Sequence, residues 1–209
     1  MSIISTPDLQ LITIEEPQAA SILKVKTAQI SFPLSQENKA LIQAMKDKLY
    51  ELAGVGLAAP QVIEHKRIIA VHISTEAAAV RNDAQTYPMR ILINPSYEPY
   101  EESKTLYDFE ACFSVSSKAG KVPRFHTILL TYQDEVGAQH NEVASGFYAR
   151  VLQHEIDHLD GTLITDRLTA NCVQGTLSEM MALRRSELSP EKLKLYDEIV
   201  ERQKQLKQT

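Results

Sequence analysis

Two histidines and a glutamate in the segment 153–161 (QHEIDHLDG) have residue types and a spacing suited to metal chemistry. His154 and His158 are four residues apart, and on an α-helix such residues lie one above the other on the same face. Both imidazoles can therefore bind one metal ion. Glu155 lies beside that ion without having to bind it, and it can accept a proton from water that the ion activates. The pattern predicts a metal site with its own general base.

The residues before this motif have the periodicity of a helix. Phe147 and Val151 fall on the same stripe as His154 and His158, and Gly161 follows as a C-terminal stop. The alternative is an ordinary solvated helix face that happens to carry two histidines near a glutamate. A chance His-Glu-x-x-His in this chain has odds of roughly one in a hundred, so we favour the metal site.

A tetrahedral catalytic metal site needs a third protein ligand and leaves one position open. No histidine follows His158 in the sequence. The glutamates after His158 lie among charged residues of predicted helices, which is typical of a surface. Cys112 lies upstream, and one thiolate with two imidazoles is a sound ligand set. We favour Cys112 over the downstream glutamates, which are Glu179, Glu187, Glu191, Glu198 and Glu201.

The segment 54–61 (GVGLAAPQ) combines small residues with a polar end. Its Gly-x-Gly-x-x-Ala pattern resembles a dinucleotide-binding loop, which needs a strand before it and a helix after it. Here a predicted helix precedes the segment and Pro60 prevents a regular helix after it, so we exclude that function. Small residues allow the backbone to approach a ligand closely, and Gln61 offers an amide donor. A packing turn is the alternative interpretation.

Composition and charge exclude several classes of protein. The chain has 209 residues, of which 44% are hydrophobic and 23% are charged, and its formal net charge is −5. This balance is typical of one globular domain, 1–209, and gives no support for nucleic-acid binding. No apolar run approaches the length of a membrane span, and two cysteines do not make a disulfide framework. No Lys or Arg precedes Lys24, so we expect no signal peptide and a cytoplasmic location.

Apolar periodicity predicts three helices besides the one that carries the histidines. The first covers 36–53, and two more, over 174–187 and from Pro190 onward, form a C-terminal helical tail, 170–209. From Arg184 onward seven basic side chains stand against five acidic ones, a net charge of +2. A solvated helix face is the simpler interpretation of this charge, and contact with an anionic partner is the alternative. The stripe of the last helix consists of Leu193, Tyr196, Ile199, Val200 and Gln203.

Short strands separated by turn residues fill the middle of the chain. Asn94-Pro95 predicts a turn, and Gly120 with Pro123 predicts a loop. We expect residues 1–35 to form an N-terminal extended segment and 74–89 to form a surface excursion. The fold class we predict is α+β, with mostly antiparallel short strands packed around a central metal-binding helix and with a C-terminal helix. The predicted strands cover 67–73, 90–94, 126–133 and 140–144.

In combination, three motifs resemble those of the peptide deformylases, enzymes that remove the N-terminal formyl group from newly made bacterial proteins. Residues 54–61 and 153–161 match the first and third motifs of that family. Residues 110–114 (EACFS) correspond to the second motif, which is usually EGCLS. The resemblance runs over about residues 41–168 and includes Arg124.

Two departures from the family pattern lie in the second motif, where Ala111 replaces a glycine and Phe113 replaces a leucine. Ser116 also stands where the family usually has proline. Ala111 restricts the backbone next to the cysteine, and the larger Phe113 could narrow the substrate cleft. Cys112 is kept, so we expect activity, with substrate preference more affected than chemistry.

The resemblance implies one divalent metal ion bound by Cys112, His154 and His158. It implies Fe²⁺ in the cell, with Zn²⁺, Ni²⁺ or Co²⁺ as substitutes, whereas ligand chemistry alone favours Zn²⁺. An iron–thiolate site would be sensitive to oxygen.

The resemblance also implies roles in catalysis and in substrate binding. Glu155 would act as general acid and base, and the Gln61 side-chain amide with the Phe113 backbone N–H would stabilise the oxyanion. The backbone of the glycine-rich segment would pair with an extended peptide, and a methionine side chain would enter an apolar pocket. The expected substrate-binding residues are Val55, Gly56, Phe147, Val151 and Arg124.

The expected partners are formyl-methionyl nascent chains and, through the C-terminal helix, the ribosome, without a membrane. Two other functions stay open. A zincin-type endopeptidase would need a third ligand downstream and would keep its activity without Cys112. A non-catalytic descendant would bind formyl-peptides or ribosomes without turnover, which Ala111 and Phe113 make conceivable.

Overall fold

Two antiparallel β-sheets pack against one buried helix. The structure is a computed structural model that describes the backbone of residues 7–206 and the side chains of residues 7–202. Within that range, one sheet has the strand order β1-β2-β3-β6-β7 and the other has the order β4-β5-β8. The strands are β1 (Gly56–Ala58), β2 (Ile68–Ile73), β3 (Tyr87–Pro99), β4 (Thr105–Cys112), β5 (Val115–Phe125), β6 (Thr127–Gln133), β7 (Gln139–Ser145) and β8 (Gln174–Gly175).

Helices occur at both ends of the chain and between the sheets. They are α1 (Ala20–Leu23), α2 (Gln36–Leu52), α3 (Thr75–Ala79), α4 (Gly146–Leu159), α5 (Ile164–Arg167), α6 (Leu177–Ser186) and α7 (Pro190–Leu206), with a short 3-10 helix at Ala59–Val62. The α+β class with antiparallel strands and C-terminal helices is confirmed. The predictions for residues 1–6 and 207–209 and for the side chain of Gln203 lie outside the described residues. No helix within residues 7–206 has both the length and the apolar character needed to cross a membrane.

The helix α4 carries the two histidines and contacts strands of both sheets. Its residues Leu152, Ile156 and Leu159 are at most 2% exposed and pack into the apolar core of the larger sheet. Its charged residues Arg150 and Glu155 are buried as well, on the sides that meet the smaller sheet and β1. A helix buried on nearly all sides must pair its polar groups inside the protein, and this requirement shapes the site.

The helix α2 supports the larger sheet from the other side. Ser35 caps its N-terminus, because its Oγ accepts a hydrogen bond from the Asn38 N–H at 3.1 Å. Leu41, Met45 and Leu49 are spaced by four residues along one face and pack with buried residues of β1 and β2. The bounds agree with the prediction for 36–53.

Strand β3 runs through the turn that was predicted at Asn94-Pro95. Asn94 adopts a φ of 51°, which asparagine tolerates better than most residues, and the register shifts between Ile93 and Ser96. The side chain of Asn94 bonds both the N–H and the C=O of Ile30 at 2.8 Å. A β-bulge therefore accommodates the two residues without ending the strand, and the turn prediction is wrong.

Strand β5 likewise passes through Gly120 and Pro123, where a loop was predicted. A Cβ on Gly120 would lie 2.6 Å from the Val173 carbonyl oxygen, so glycine permits a close approach of the C-terminal segment. β8 pairs only with Ala119 and Gly120. Within residues 7–206, the strand at Pro123 therefore has a neighbour on one side only, which is where sheets tolerate proline.

The segment 74–89 is more than a surface excursion. It forms α3, whose Ala77 and Ala78 pack on the main core, and Val80 is buried. The C-terminal helices hold it from outside, since Arg184 Nη2 donates to the Val80 carbonyl at 3.1 Å and Lys192 Nζ donates to the Arg81 carbonyl at 2.7 Å. Alanine occurs both in protein cores and on protein surfaces, so the alanine-rich sequence did not show that this segment packs on the core.

Candidate active site

A cavity of about 340 Å³ opens along α4 between β1 and the end of β4. Cys112, His154, Glu155 and Gln61 lie at one end of it. Apolar side chains form much of the remaining wall, among them Val55, Phe109, Phe113, Phe147, Val151 and Leu177. The cavity thus joins a polar end to an apolar interior, which is the usual composition of a small-molecule or peptide site.

Ligand atoms of Cys112, His154 and His158 lie within 4.8 Å of one another. The Cys112 Sγ is 3.2 Å from His158 Nε2, and the centroids of the two imidazole rings are 5.1 Å apart. The histidines come from successive turns of α4. The cysteine comes from the end of β4, where the register shifts between Glu110 and Cys112. One sulfur and two imidazole nitrogens at these separations fit a divalent metal ion.

Glu110 orients one histidine of this group and also lines the cavity. Its Oε2 is 2.9 Å from His154 Nδ1, so that Nδ1–H donates and the other ring nitrogen is left for a metal. Burial opposes the negative charge of Glu110, but Arg124 and His154 hold its pKa well below the usual range. Arg124 donates two hydrogen bonds of 2.9 Å to Glu110, and Arg150 Nη1 donates a third of 2.7 Å.

The two histidines differ in how readily they give up a proton. Burial lowers the pKa of His158 well below its ordinary value, which keeps its imidazole neutral and able to bind a metal. Burial has the same effect on His154, but hydrogen bonds to Cys112 and Glu110 outweigh it and raise the pKa of His154.

Glu155 is 4% exposed, and its Oε2 has no hydrogen-bond partner among the described residues. Burial raises its pKa to about 7. A Cβ added to Gly56 would lie only 2.2 Å from Glu155 Oε1, so the glycine gives the carboxyl its space. A carboxyl with a pKa near neutrality is suited to take up and return a proton.

Gln61 is held in one orientation by the 3-10 helix after β1. Its Oε1 accepts a hydrogen bond from the Ala58 N–H at 2.9 Å. Its Nε2 therefore points toward the Cys112 Sγ at 3.7 Å and the Ser114 Oγ at 3.3 Å. Phe113 follows the cysteine with its side chain 38% exposed at the cavity.

The structure brings together all the predicted site residues except Arg124. Arg124 is 3% exposed and pairs with Glu110 and Asp157, so it lies behind the cavity and does not line it. Sequence reasoning missed Arg81 and Arg150, which do line it. Arg150 could have been found, because it precedes His154 by four residues on the same helix face. Arg81 carried no such signal.

Comparisons with known proteins identify the family of this chain. The family model described as polypeptide deformylase matches residues 9–174. The chain belongs to the polypeptide deformylase family. A deformylase is a metal-dependent hydrolase, so the prediction of an enzyme of this kind is confirmed.

Individual relatives of this deformylase cover most of the chain. It is 38% identical to peptide deformylase 2 of Rickettsia conorii over 176 residues, which cover 82% of this chain and 86% of the relative. It is 35% identical to the peptide deformylase of Orientia tsutsugamushi strain Boryong over 182 residues, which cover 84% and 95%. A solved class I type b peptide deformylase from Acinetobacter baumannii, with Met-Ala-Ser bound, superposes with a TM-score of 0.68 at 31% identity and covers 78% of this chain and 99% of that one.

Replacing Asp157 with asparagine should destabilise the deformylase strongly. Asp157 is 5% exposed and pairs with both Arg124 and Arg167, so its loss removes one of the two carboxylates that neutralise the buried Arg124 and leaves Glu110 to compensate Arg124 and Arg150 alone. We expect a loss of about 3–5 kcal/mol in the free energy of unfolding, measured by urea denaturation. The matched control is Asp197→Asn, which breaks an exposed pair with Arg185 and should change stability little. Equal effects of the two variants would contradict the role given to Asp157.

Proposed function

We propose that this deformylase hydrolyses the formyl group from formyl-methionyl nascent peptides at the group formed by Cys112, His154 and His158. The observation that carries the proposal is the proximity of these three ligand atoms, within 4.8 Å, beside the buried Glu155 at the end of a cavity. The products are formate and a peptide with a free amino terminus.

Cys112, His154 and His158 would hold one divalent cation. When bound, such a cation supplies Lewis acidity, which makes water more acidic and polarises a carbonyl group. We propose Fe²⁺ as the ion used in the cell, with Zn²⁺, Ni²⁺ and Co²⁺ as substitutes. The thiolate and the imidazoles accept all of these ions, so the ligand set alone does not choose between them.

Glu155 moves the proton in this proposal. It accepts a proton from water as the water oxygen attacks the formyl carbon, and it returns that proton to the nitrogen as the carbon–nitrogen bond breaks. Its buried, unpartnered oxygen and its pKa of about 7 support both transfers at neutral pH.

Two donors would stabilise the negative charge that develops on the formyl oxygen. One is the Gln61 amide, whose orientation is fixed by the 2.9 Å bond from Ala58. The other is the backbone N–H of Phe113, next to the cysteine. Donors fixed in advance stabilise a transition state without a further cost of reorganisation.

The peptide would bind along β1, which among the described strands has a neighbour on one side only. An extended substrate can pair with such an edge, next to Val55 and Gly56, and its methionine side chain would enter the cavity beside Phe147 and Val151. The related Acinetobacter baumannii enzyme with Met-Ala-Ser bound supports a methionyl peptide as occupant. Arg124 then acts on the substrate indirectly, by positioning Glu110.

The ligand group also bears on the zincin-type alternative. Among the described residues, it joins the two histidines to Cys112, which lies upstream, whereas a zincin needs a ligand downstream. An assay of formate release distinguishes catalysis from the alternative, in which formyl-peptides bind without turnover.

Release of formate from formyl-Met-Ala-Ser should require Cys112 and Glu155. With anaerobic loading of Fe²⁺ or Ni²⁺, we expect turnover by the wild type, none above background for Cys112→Ala and a loss of about 10²–10⁴-fold in kcat for Glu155→Gln. The matched control is Cys172→Ala, at the other cysteine, which should keep its activity and its metal. Turnover by Cys112→Ala would favour the zincin-type mechanism, and no turnover by metallated wild type would favour binding alone.

Exposure to air should distinguish iron from its substitutes. A ferrous ion bound to a thiolate is open to oxidation, so the Fe²⁺-loaded protein should lose activity in air and regain it when Fe²⁺ is added under reducing conditions. The Zn²⁺- and Ni²⁺-loaded proteins should keep their activity over the same time. Equal persistence of the Fe²⁺ and Zn²⁺ forms in air would contradict the iron proposal.

We propose separately that α7 contacts the ribosome. We also propose a cytoplasmic location, which such a contact requires. The contact rests on the +2 charge from Arg184 onward. Lys194 and Arg202 are exposed on α7, so Lys194→Glu with Arg202→Glu should weaken co-sedimentation with ribosomes. The control with the same charge change elsewhere is Lys39→Glu with Lys104→Glu. Unchanged co-sedimentation of the α7 variant would contradict the contact.

A further inference from the structure

Arg150 is buried where α4 meets the smaller sheet. It is 6% exposed, and it reaches the wall of the cavity. Its Nη1 donates to Glu110 Oε1 at 2.7 Å and to the Val122 carbonyl at 2.8 Å, and its Nη2 donates to the Leu106 carbonyl at 2.7 Å. One side chain of α4 thus bonds β4 at two residues and β5 at a third. A planar guanidinium with three fixed acceptors is held in one geometry.

Two residues of α4 hold the same carboxylate. Arg150 donates to Glu110 Oε1, and His154 Nδ1 donates to Glu110 Oε2 at 2.9 Å. The two residues are four positions apart, so they lie on one face of the helix, about 6 Å apart along its axis. Contacts at two points fix the orientation of the carboxylate relative to α4.

Arg124 holds Glu110 in a different way. Its Nε and Nη2 donate to the two carboxylate oxygens, each at 2.9 Å, and it comes from β5, which pairs with β4. This fork fixes Glu110 within the smaller sheet. Arg124 reaches α4 through Asp157, a second carboxylate that it shares with Arg167. Arg150 is itself a residue of α4, so its bond to Glu110 is the more direct link between the helix and the sheet.

The three metal ligands come from the two elements that Arg150 joins. His154 and His158 belong to α4, and Cys112 follows Glu110 by two residues at the end of β4. The affinity for a metal depends on the separation of the ligand atoms and on the direction of each imidazole, which outer hydrogen bonds set. A shift of Glu110 along α4 would change both.

We propose that Arg150 is a positioning residue for the metal group, because it fixes Glu110 relative to α4 and thereby fixes the direction of the His154 imidazole and its separation from Cys112. The inference rests on the metal site of the proposed function. It deepens that function by naming a residue on which the affinity of the site depends.

Arg90 offers a matched control. It is partly buried, and its Nη1 and Nη2 donate to the Glu142 carboxylate at 2.9 and 3.0 Å. It also bonds Tyr148 of α4 and Tyr132 of β6, so it joins the helix to strands as Arg150 does. None of these partners lines the cavity in the described part of the chain. Arg90→Met therefore removes a comparable link without touching Glu110.

Chelator competition with the Co²⁺-loaded protein measures the affinity directly. The full chain is loaded anaerobically, and the dissociation constant follows from the chelator concentration that removes half of the ion. We expect Arg150→Met to raise this constant about tenfold, since lost outer hydrogen bonds typically weaken metal binding by about 10–100-fold. The visible absorption of bound Co²⁺, which depends on ligand geometry, should change as well. Arg90→Met should keep the wild-type constant and absorption.

Kinetic constants separate positioning from contact with the substrate. Arg150 reaches the cavity wall, so a role in peptide binding is the alternative. At saturating Co²⁺, release of formate from formyl-Met-Ala-Ser by Arg150→Met should show a lower kcat and the wild-type KM. A raised KM together with an unchanged dissociation constant for Co²⁺ would indicate contact with the peptide and overturn the inference.

A conservative variant tests whether the bond to Glu110 is responsible. Arg150→Lys keeps the charge and can donate to Glu110, but an ammonium group lacks the planar fork. Its dissociation constant should lie between those of the wild type and Arg150→Met. Urea denaturation shows which variants are folded. If Arg150→Met is not folded, Arg150→Lys decides, since a raised constant supports the inference and a wild-type constant overturns it.

Failure of the inference and failure of the proposed function give different results. Wild-type affinity in Arg150→Met, or equal losses of affinity in Arg150→Met and Arg90→Met, would overturn the inference and leave the metal site intact. If the wild type binds no Co²⁺ in a manner that requires Cys112, both fail. Binding of Co²⁺ without release of formate would overturn the proposed hydrolysis alone, and the affinities would still decide the role of Arg150.

Discussion

The neutralisation of buried charge behind α4 is the constraint on which the rest of the structure depends. Glu110 and Asp157 are both buried, and Arg124 joins them, so that β4, β5 and α4 meet at one network of ion pairs. Arg150 adds a second cation to Glu110. Buried ions are tolerated only when all partners are present, so each of these elements is held in register by the others. The same network ends on His154, and the geometry of the Cys112, His154 and His158 group is therefore a consequence of how the smaller sheet is joined to α4.

Close approach of backbone segments is the second requirement of the site. Glu155 can occupy its position because Gly56 has no side chain, and Gln61 can aim its amide because the chain turns tightly after β1. Both features come from the segment 54–61, which faces α4 across the end of the cavity. The Glu155 carboxyl and the Gln61 amide are thus placed next to Cys112, His154 and His158 by backbone shape, with few side chains involved.

Sequence patterns predicted the parts of this molecule that local rules control. The four-residue spacing of His154 and His158 indicates one helix face, and the periodicity over 36–53 indicates α2. Non-local contacts account for the failures. Asparagine and proline usually end strands. Here a β-bulge accommodates Asn94, and Pro123 lies where, among the described strands, β5 pairs on one side only. Arg124 was expected to bind substrate but pairs with Glu110, whereas Arg81, for which no sequence pattern set an expectation, lines the cavity. Only the fold decides which arginine meets Glu110 and which one faces the cavity.

The C-terminal helices complete the cavity, and this gives the site an order of assembly. Leu177 follows every other residue that lines the cavity along the chain, and Lys192, which holds Arg81, follows it in turn. A ribosome therefore makes Cys112, His154 and His158, together with strands β1 to β7, before it makes the last part of the cavity wall. The growing polypeptide would acquire its chemistry first and its fit to a particular peptide afterwards.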